Sequence, residues 1–403
     1  MRIGMVSTRF AGLDGVTLEA RKIAEALGRD GHTFAWFAGE LDPSFSPGMH
    51  VPSAFFDTPE NLDLQAAIFG TEAVELAVSA RLAAMVAELT EALLRFVAEH
   101  GVDVLVVENA LAIPMQLPLG LAITQVAAIT GIPTIGHHHD FSWERVHYAR
   151  CALPGILDLA FPPTLAGVHH VVINLDARDA LYDRTGTEAI VLPNVMDFET
   201  GPVRAGRAEA YRRAAGLEDD DVVLLQPTRV IPRKGIELTI ELAHRLADPR
   251  IRVLVSHADD LDEAYWAKLR RLAEERDVDL RLVPAVPGDL GDPRLADAYA
   301  AADLVCYPSL WEGFGNALLE AFFYRRPVFV NRYPVYVRDI APTGVECIEI
   351  DGRVDDDAVA RVARWLEDPE GAAAAVERNY EVGRRHFSYE IVRRRLGPLL
   401  GSA

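Results

Sequence analysis

Cysteine is scarce: Cys151, Cys306 and Cys347 are the only three in 403 residues, and their spacing pairs with nothing. That excludes a disulfide framework and a zinc ribbon, fits a reducing cytoplasm, and leaves all three as small apolar residues. Positive charge is also short. Forty Lys and Arg face 60 Asp and Glu, for a net charge of −20 and a pI near 5.0. Such a surface repels phosphate polymers and anionic headgroups, so nucleic acid and anionic membrane are poor partners. The first residues, Met1 to Ser7, read as a short apolar strand and not as a secretory leader. Uncharged runs are few. The one long enough to span a bilayer, Ile113 to Gly136, is broken by Pro114, Pro118, Gly120, Gly131 and Pro133. It follows the strand-like Val104–Val107, so it reads as a buried helix leading to another buried strand.

What the chain does have is a rhythm. Apolar runs at Ile3–Val6, His32–Phe37, Val102–Val107, Pro133–His138 and His170–Ile173 alternate with helix-period segments such as Val16, Ala20, Ile23 and Leu27. Val102–Val107 ends at Glu108 and Asn109. After a polar connection from Asp197 to Arg207 the rhythm restarts. Strands are expected at Val222–Leu225, Arg252–Ser256, Leu280–Pro284, Leu304–Tyr307 and Pro327–Val330, with helices between them. Alternation of this kind predicts α/β folding with parallel, doubly wound sheets. The expected domains are residues 1–197 and 198–380, each Rossmann-like, followed by a C-terminal segment 381–403. Two such sheets in tandem would leave a cleft near the C-terminal ends of their strands, where ligands of this architecture bind.

The segment most informative about chemistry is Pro308 to Glu320, Pro-Ser-Leu-Trp-Glu-Gly-Phe-Gly-Asn-Ala-Leu-Leu-Glu. It leaves an apolar strand and opens a helix. Gly313 and Gly315 allow close backbone approach, and the N–H groups around Asn316 and Ala317 make a phosphate cradle. Glu320 lies one turn in, placed to accept from ribose hydroxyls, and Glu312 stands before the turn, placed for hydroxyls of a sugar. A second loop, Gln226 to Ile236, supplies the cations Arg229 and Lys234, which a diphosphate needs. A third, Gly12-Leu13-Asp14-Gly15-Val16, lacks the G-x-G-x-x-G pattern of dinucleotide sites. A fourth, Gly136-His137-His138-His139-Asp140-Phe141-Ser142-Trp143-Glu144-Arg145, ends a strand. Successive strand residues point to opposite faces, so three adjacent histidines do not converge on one ion, and a substrate-bonding histidine is the better reading. Asp277-Val278-Asp279 matches the Asp-x-Asp of metal-dependent sugar transfer, but lies between a helix and a strand, away from the strand C-termini.

Together these segments resemble the family 4 glycosyltransferases. The resemblance runs in order along nearly the whole chain: the E-x7-E motif as Glu312 to Glu320, the Arg229…Lys234-Gly235 loop, Leu192 to Asp197 leading to the interdomain connection, and Phe387-Ser388-Tyr389-Glu390 opening a C-terminal helix that crosses back. It implies the GT-B fold of two facing Rossmann-like domains, and transfer of a hexosyl group with retained configuration from a nucleotide-diphosphate sugar, GDP-mannose or UDP-glucose. The acceptor would be a small soluble hydroxyl compound, of glycerate or sugar type. By the resemblance, Arg229, Lys234 and backbone at Gly15, Phe314, Gly315, Asn316 and Ala317 bind the donor with Glu312 and Glu320. His139 is the match to the family's cleft histidine, and Glu312, Arg229 and Lys234 join it as catalytic residues. His137, Asn109 and Arg145 are candidates for the acceptor, in a run where Phe141 and Trp143 would face it too. The family works without a metal or other cofactor. One departure is Asn316, where the family more often has an apolar residue. A sugar-nucleotide epimerase on the same fold, a nicotinamide dehydrogenase and a non-catalytic nucleotide-sugar binder are the alternatives. The E-x7-E segment argues against the first and the missing fingerprint against the second.

Overall fold

The computed structural model describes residues 1–12, 14–202, 207–258, 261–285 and 294–401. Part of the Asp197–Arg207 connection, residues 203–206, and Leu13 of the first glycine loop therefore lie outside the described residues. The chain forms two compact units. The first comprises Met1–Pro193 with Tyr389–Ala403, and the second Asn194–Ser388.

The first unit is built on a seven-stranded sheet. Its strands are β1 (Arg2–Val6), β3 (Thr33–Ala38), β5 (Gly48–His50), β6 (Val104–Glu108), β7 (Thr134–His138), β8 (Val168–Val172) and β9 (Ala189–Val191). The order β5-β3-β1-β6-β7-β8-β9 is parallel throughout. A separate two-residue ladder joins β2 (Arg9–Phe10) to β4 (Glu40–Leu41). Val104–Val107 is buried along its whole length, as a strand covered by helices on both faces must be. The uncharged run becomes the helix Leu117–Thr130, which ends at the left-handed Gly131 and leads into β7. Among the described residues no helix is long and apolar enough to cross a membrane.

The second unit carries a six-stranded parallel sheet in the order β12-β11-β10-β13-β14-β15. Its strands are β10 (Val222–Gln226), β11 (Ile251–Val255), β12 (Asp279–Leu282), β13 (Leu304–Tyr307), β14 (Val328–Asn331) and β15 (Ile348–Ile350). Leu224, Val253, Leu304, Phe329 and Ile348 from five of these strands share one core cluster. Helix ends carry their own stops: Asn174, Asp262 and Asp355 cap N-termini, and Gly101, Gly186 and Gly216 end helices in the left-handed region.

The changeover between units lies between Pro193 and Asn194, and not after Asp197 as the sequence boundary had it. The return is at Tyr389. Helix Pro369–His386 runs unbroken through residue 380, and Met196 N–H donates to Phe387 O at 2.9 Å, which ties 387–388 to the second unit. The last helix, Tyr389–Gly401, packs on Gly15–Gly28 of the first unit. Tyr389 Oη donates to Glu25 Oε2 at 2.8 Å, and the Arg29 guanidinium lies 4.9 Å over the Tyr389 ring.

Candidate functional site

In the second unit the candidate residues gather at the C-terminal ends of β10 and β13. Past β13 the loop 308–315 and past β10 the loop 227–235 are stitched together, with Leu310 N–H donating to Arg233 O at 2.8 Å. Between them sits Glu312, 6% exposed. Its Oε1 takes a charge-assisted bond from Lys234 Nζ, and its Oε2 accepts from Arg233 Nη1 at 2.8 Å. Burial would raise the Glu312 carboxyl, but the Lys234 and Arg233 charges outweigh it and hold the group below its usual value. Burial moves Lys234 the other way, below the usual lysine value, with Glu312 opposing and the Arg233 and Arg229 charges adding to the shift. Arg229 itself is exposed and close enough for its charge to be felt there. Two cations thus hold one buried carboxylate, and a third, Arg229, stands near enough to Lys234 for its charge to act there.

The helix Asn316–Phe323 starts beside this centre. Gly315 caps it at φ 136, a backbone region closed to other side chains, and a Cβ there would strike the Tyr333 hydroxyl. The first N–H groups of the helix, at Asn316 and Ala317, have no acceptor within it by geometry. Asn316 Oδ1 accepts from Asn194 Nδ2 at 2.6 Å, so the polar residue at this departure from the family pattern has a partner in the connection. Glu320 Oε2 accepts from Tyr299 Oη at 2.8 Å, and the same hydroxyl reaches Ala317 O at 3.1 Å. The Phe314 side chain is 3% exposed and packs edge-on against Phe387, with ring centroids 5.8 Å apart, so it braces from inside the loop whose backbone the resemblance gives to the donor. The Asp277–Asp279 pair sits at the N-terminal end of β12, where Asp279 pairs with Arg281 and Arg252, away from these loops.

In the first unit the focus is the end of β6 and β7, whose register sets Glu108 opposite His137. Glu108 is 1% exposed. Its Oε2 lies 2.9 Å from His137 Nδ1 and 3.1 Å from His139 Nε2. Burial alone would raise Glu108, yet the two imidazoles bring it well below the usual carboxylate range. Burial lowers His139, and the hydrogen bond and charge of Glu108, with Glu19 and Asp140 further off, overcome that and raise it. His138 points to the other face, as alternation requires. It stacks on His170, Nε2 to Nδ1 at 2.8 Å, over Gly136, where any Cβ would collide with it. Glu108, His137 and His139 are also, among the described residues, a group whose donor atoms lie within 4.8 Å of one another, the His–His–carboxylate set of a zinc-type site. Both imidazoles are aimed at one carboxylate oxygen at hydrogen-bonding distance, which accounts for the same contacts without an ion.

The other first-unit candidates have work inside the chain. Asn109 Oδ1 accepts from His139 N–H at 3.0 Å and its Nδ2 donates to Asp140 Oδ1 at 2.9 Å. Arg145 Nε donates to Asp140 Oδ2 at 2.8 Å. Phe141, expected to face the acceptor, is fully buried and stacks on Trp143 at 4.3 Å, while Trp143 lines a cavity of about 660 Å³ with Ser142, Tyr148, Phe161 and Arg184. Gly15 opens the first helix, but Asp14 already accepts from Val16 N and Thr17 N at 3.1 Å each and pairs with Arg9 at 3.2 Å. The helix start that the resemblance gives to phosphate thus holds a carboxylate of its own. Sequence reasoning had passed over Arg233, Glu108, Tyr299 and Asn194. Arg233 stood in the quoted loop beside Lys234; the other three reveal themselves only through partners distant in sequence.

The comparisons fit this geometry. Among solved structures, a glycosyltransferase from Rickettsia africae superposes with a TM-score of 0.72 at 13% identity, covering 99% of this chain and 98% of that one. Sucrose-phosphate synthase from Thermosynechococcus elongatus gives 0.68 at 17%, covering 100% and 98%. At such identities the likeness defines the fold, which is the GT-B fold of glycosyltransferases. The family described as "Glycosyl transferases group 1" matches residues 207–382, the stretch that holds Arg229, Lys234, Glu312 and Glu320. Mannosylglucosylglycerate synthase of Thermotoga maritima is 30% identical over 97% of both chains, and that of Petrotoga mobilis 29% identical over 98% of this chain and 100% of its own. The chain belongs to this group 1, family 4-type line of glycosyltransferases.

Proposed function

We propose that the protein transfers a hexosyl group, with retention, from a nucleotide-diphosphate sugar such as GDP-mannose or UDP-glucose to a hydroxyl of a small glycerate-type acceptor. The observation that carries the donor assignment is the buried Glu312 held by Lys234 and Arg233, with Arg229 near Lys234, next to the helix start at Asn316. In this reading the leaving diphosphate takes over the cations that Glu312 engages, and the first N–H groups of the helix meet its oxygens. Glu312, released, turns to the sugar hydroxyls, and Glu320, steadied by Tyr299, accepts from the ribose. The C1–phosphate oxygen bond breaks while the acceptor oxygen bonds C1 from the same face, and the acceptor proton passes to a departing phosphate oxygen. The chain then contributes position and stabilisation of the negative charge that grows on the diphosphate. Fixed cations replace a divalent ion in that role, which supports a metal-independent reaction. His139 bonds a substrate hydroxyl. The glycerate-type acceptor is supported by the two full-length relatives named mannosylglucosylglycerate synthase. The test is a matrix of nucleotide sugars and acceptors, read by thermal shift and product analysis. Stabilisation by one donor and an α-linked product on a glycerate-type hydroxyl is expected. Hydrolysis or epimerisation with no acceptor dependence would overturn the proposal.

A further inference from the structure

Glu108 and Asn109 are neighbours in the chain, and each takes hold of the next dipeptide across the sheet, His139-Asp140. Glu108 Oε2 meets the His139 ring at 3.1 Å. Asn109 Oδ1 accepts the His139 backbone N–H at 3.0 Å, and Asn109 Nδ2 donates to Asp140 at 2.9 Å. Asn109 does this at φ 61, a left-handed conformation that a non-glycine residue adopts at a cost, and such conformations persist where the surroundings over-determine them. The grip on His139 is therefore double, on the ring and on the main chain.

An ionised carboxylate only accepts hydrogen bonds, so each ring nitrogen facing Glu108 carries a proton. For His137 that nitrogen is Nδ1, at 2.9 Å. Its Nε2 is buried with no partner. The bond to Glu108 thus places the His137 ring proton on Nδ1, and nothing beside Nε2 is there to accept another. For His139 the nitrogen facing Glu108 is Nε2, which leaves Nδ1 as the one for a ligand.

We propose that Glu108 is a positioning residue that fixes opposite tautomers in His137 and His139 through a single carboxylate oxygen, and thereby sets Nδ1 of His139 as the atom that meets substrate. The proposal deepens, and rests on, the reading of His139 as a substrate-bonding group. His137 becomes the inner brace of the carboxylate and not an acceptor ligand. A hydroxyl of the substrate would donate to neutral His139 Nδ1, or accept from it when the ring is protonated. The charged groups around this ring are Glu108, Glu19 and Asp140, with His137 and His138 beside it.

Two measurements test it. The first uses the wild-type protein alone: long-range nitrogen–proton NMR of labelled histidines at about pH 9, where imidazoles are neutral. Nδ1–H for His137 and Nε2–H for His139 are expected. An Nδ1–H tautomer at His139, or protons on neither facing nitrogen together with a stoichiometric divalent ion, would overturn the proposal. The second compares Glu108→Gln, His139→Ala and the double variant in steady state. Glu108→Gln should lower kcat by about tenfold with donor KM held within about twofold, and should cost nothing further in the His139→Ala background. An equal loss in both backgrounds would overturn it. Wild-type turnover of His139→Ala would remove the role of that histidine, and with it this proposal, even with the tautomers as expected; the spectrum and the kinetics thus separate the two failures.

Discussion

Each unit holds one buried carboxylate at the C-terminal end of its sheet, and the two are neutralised differently. Glu312 in the second unit is paired with two basic side chains, Lys234 and Arg233. Glu108 in the first is paired with two imidazoles, His137 and His139, through one carboxylate oxygen. In the proposed reaction an ion pair of this kind suits the exchange of one anion for another, because the cations would remain when Glu312 turned away. A carboxylate–imidazole pair suits a site that must present one defined nitrogen to a hydroxyl.

That contrast can be broken most sharply in the second unit. Lys234→Ala and Glu320→Ala should each lower kcat/KM at least about 100-fold, on the order of 3 kcal/mol, with far-UV dichroism unchanged. Wild-type rates in both would dismiss the donor assignment. Gly315→Ala forces a Cβ onto a φ of 136 and toward Tyr333. It should weaken nucleotide binding about tenfold in a titration while Glu108 and its histidines are untouched.

The first unit should differ in its pH response. Glu108 is lowered on folding, so its contribution to stability is present above its unfolded value of about 4.5 and is lost as pH falls through the folded value. His139 is raised, so its contribution is full below about pH 6.5 and is lost as pH rises through the folded value. The difference in Tm between wild type and Glu108→Gln should therefore be greatest between about pH 5 and 6.5 and shrink on both sides; a difference independent of pH would contradict the pairing. The smallest effect is expected for Asn316→Leu, which restores the family's apolar residue and removes one hydrogen bond to Asn194. Donor KM should change by no more than about fivefold, about 1 kcal/mol. A loss as large as that of Lys234→Ala would mean that Asn316 touches the donor itself.

The same contrast explains what could be read from the sequence. The Glu312 centre was legible because strand, glycine turn and helix follow one another within a dozen residues, and because the Lys234 loop has the same strand-to-helix form. Glu108 was passed over because it ends an apolar strand with nothing acidic or basic beside it; its partners are 29 and 31 residues away and arrive only through the β6–β7 register. Three-residue edge strands β5, β9 and β15 were equally silent, being too short to show a period. Phe141 was expected at the acceptor because it sits in a polar loop, and it is buried because that loop is braced by an aromatic turned inward, as Phe314 braces its own. Tyr299 supports Glu320 from a segment that carries no motif of its own, and Asn194 supports Asn316 from a stretch read only as the lead into the connection.

The central claim is that cations of the second unit, without a divalent ion, hold the nucleotide diphosphate. Calorimetric titration of UDP and GDP into wild type and Lys234→Ala in excess chelator tests it most directly. The account predicts saturable binding of one nucleotide to wild type and at least about 100-fold weaker binding to the variant. Equal affinity for both proteins, or binding to wild type only after a divalent metal is restored, would contradict it.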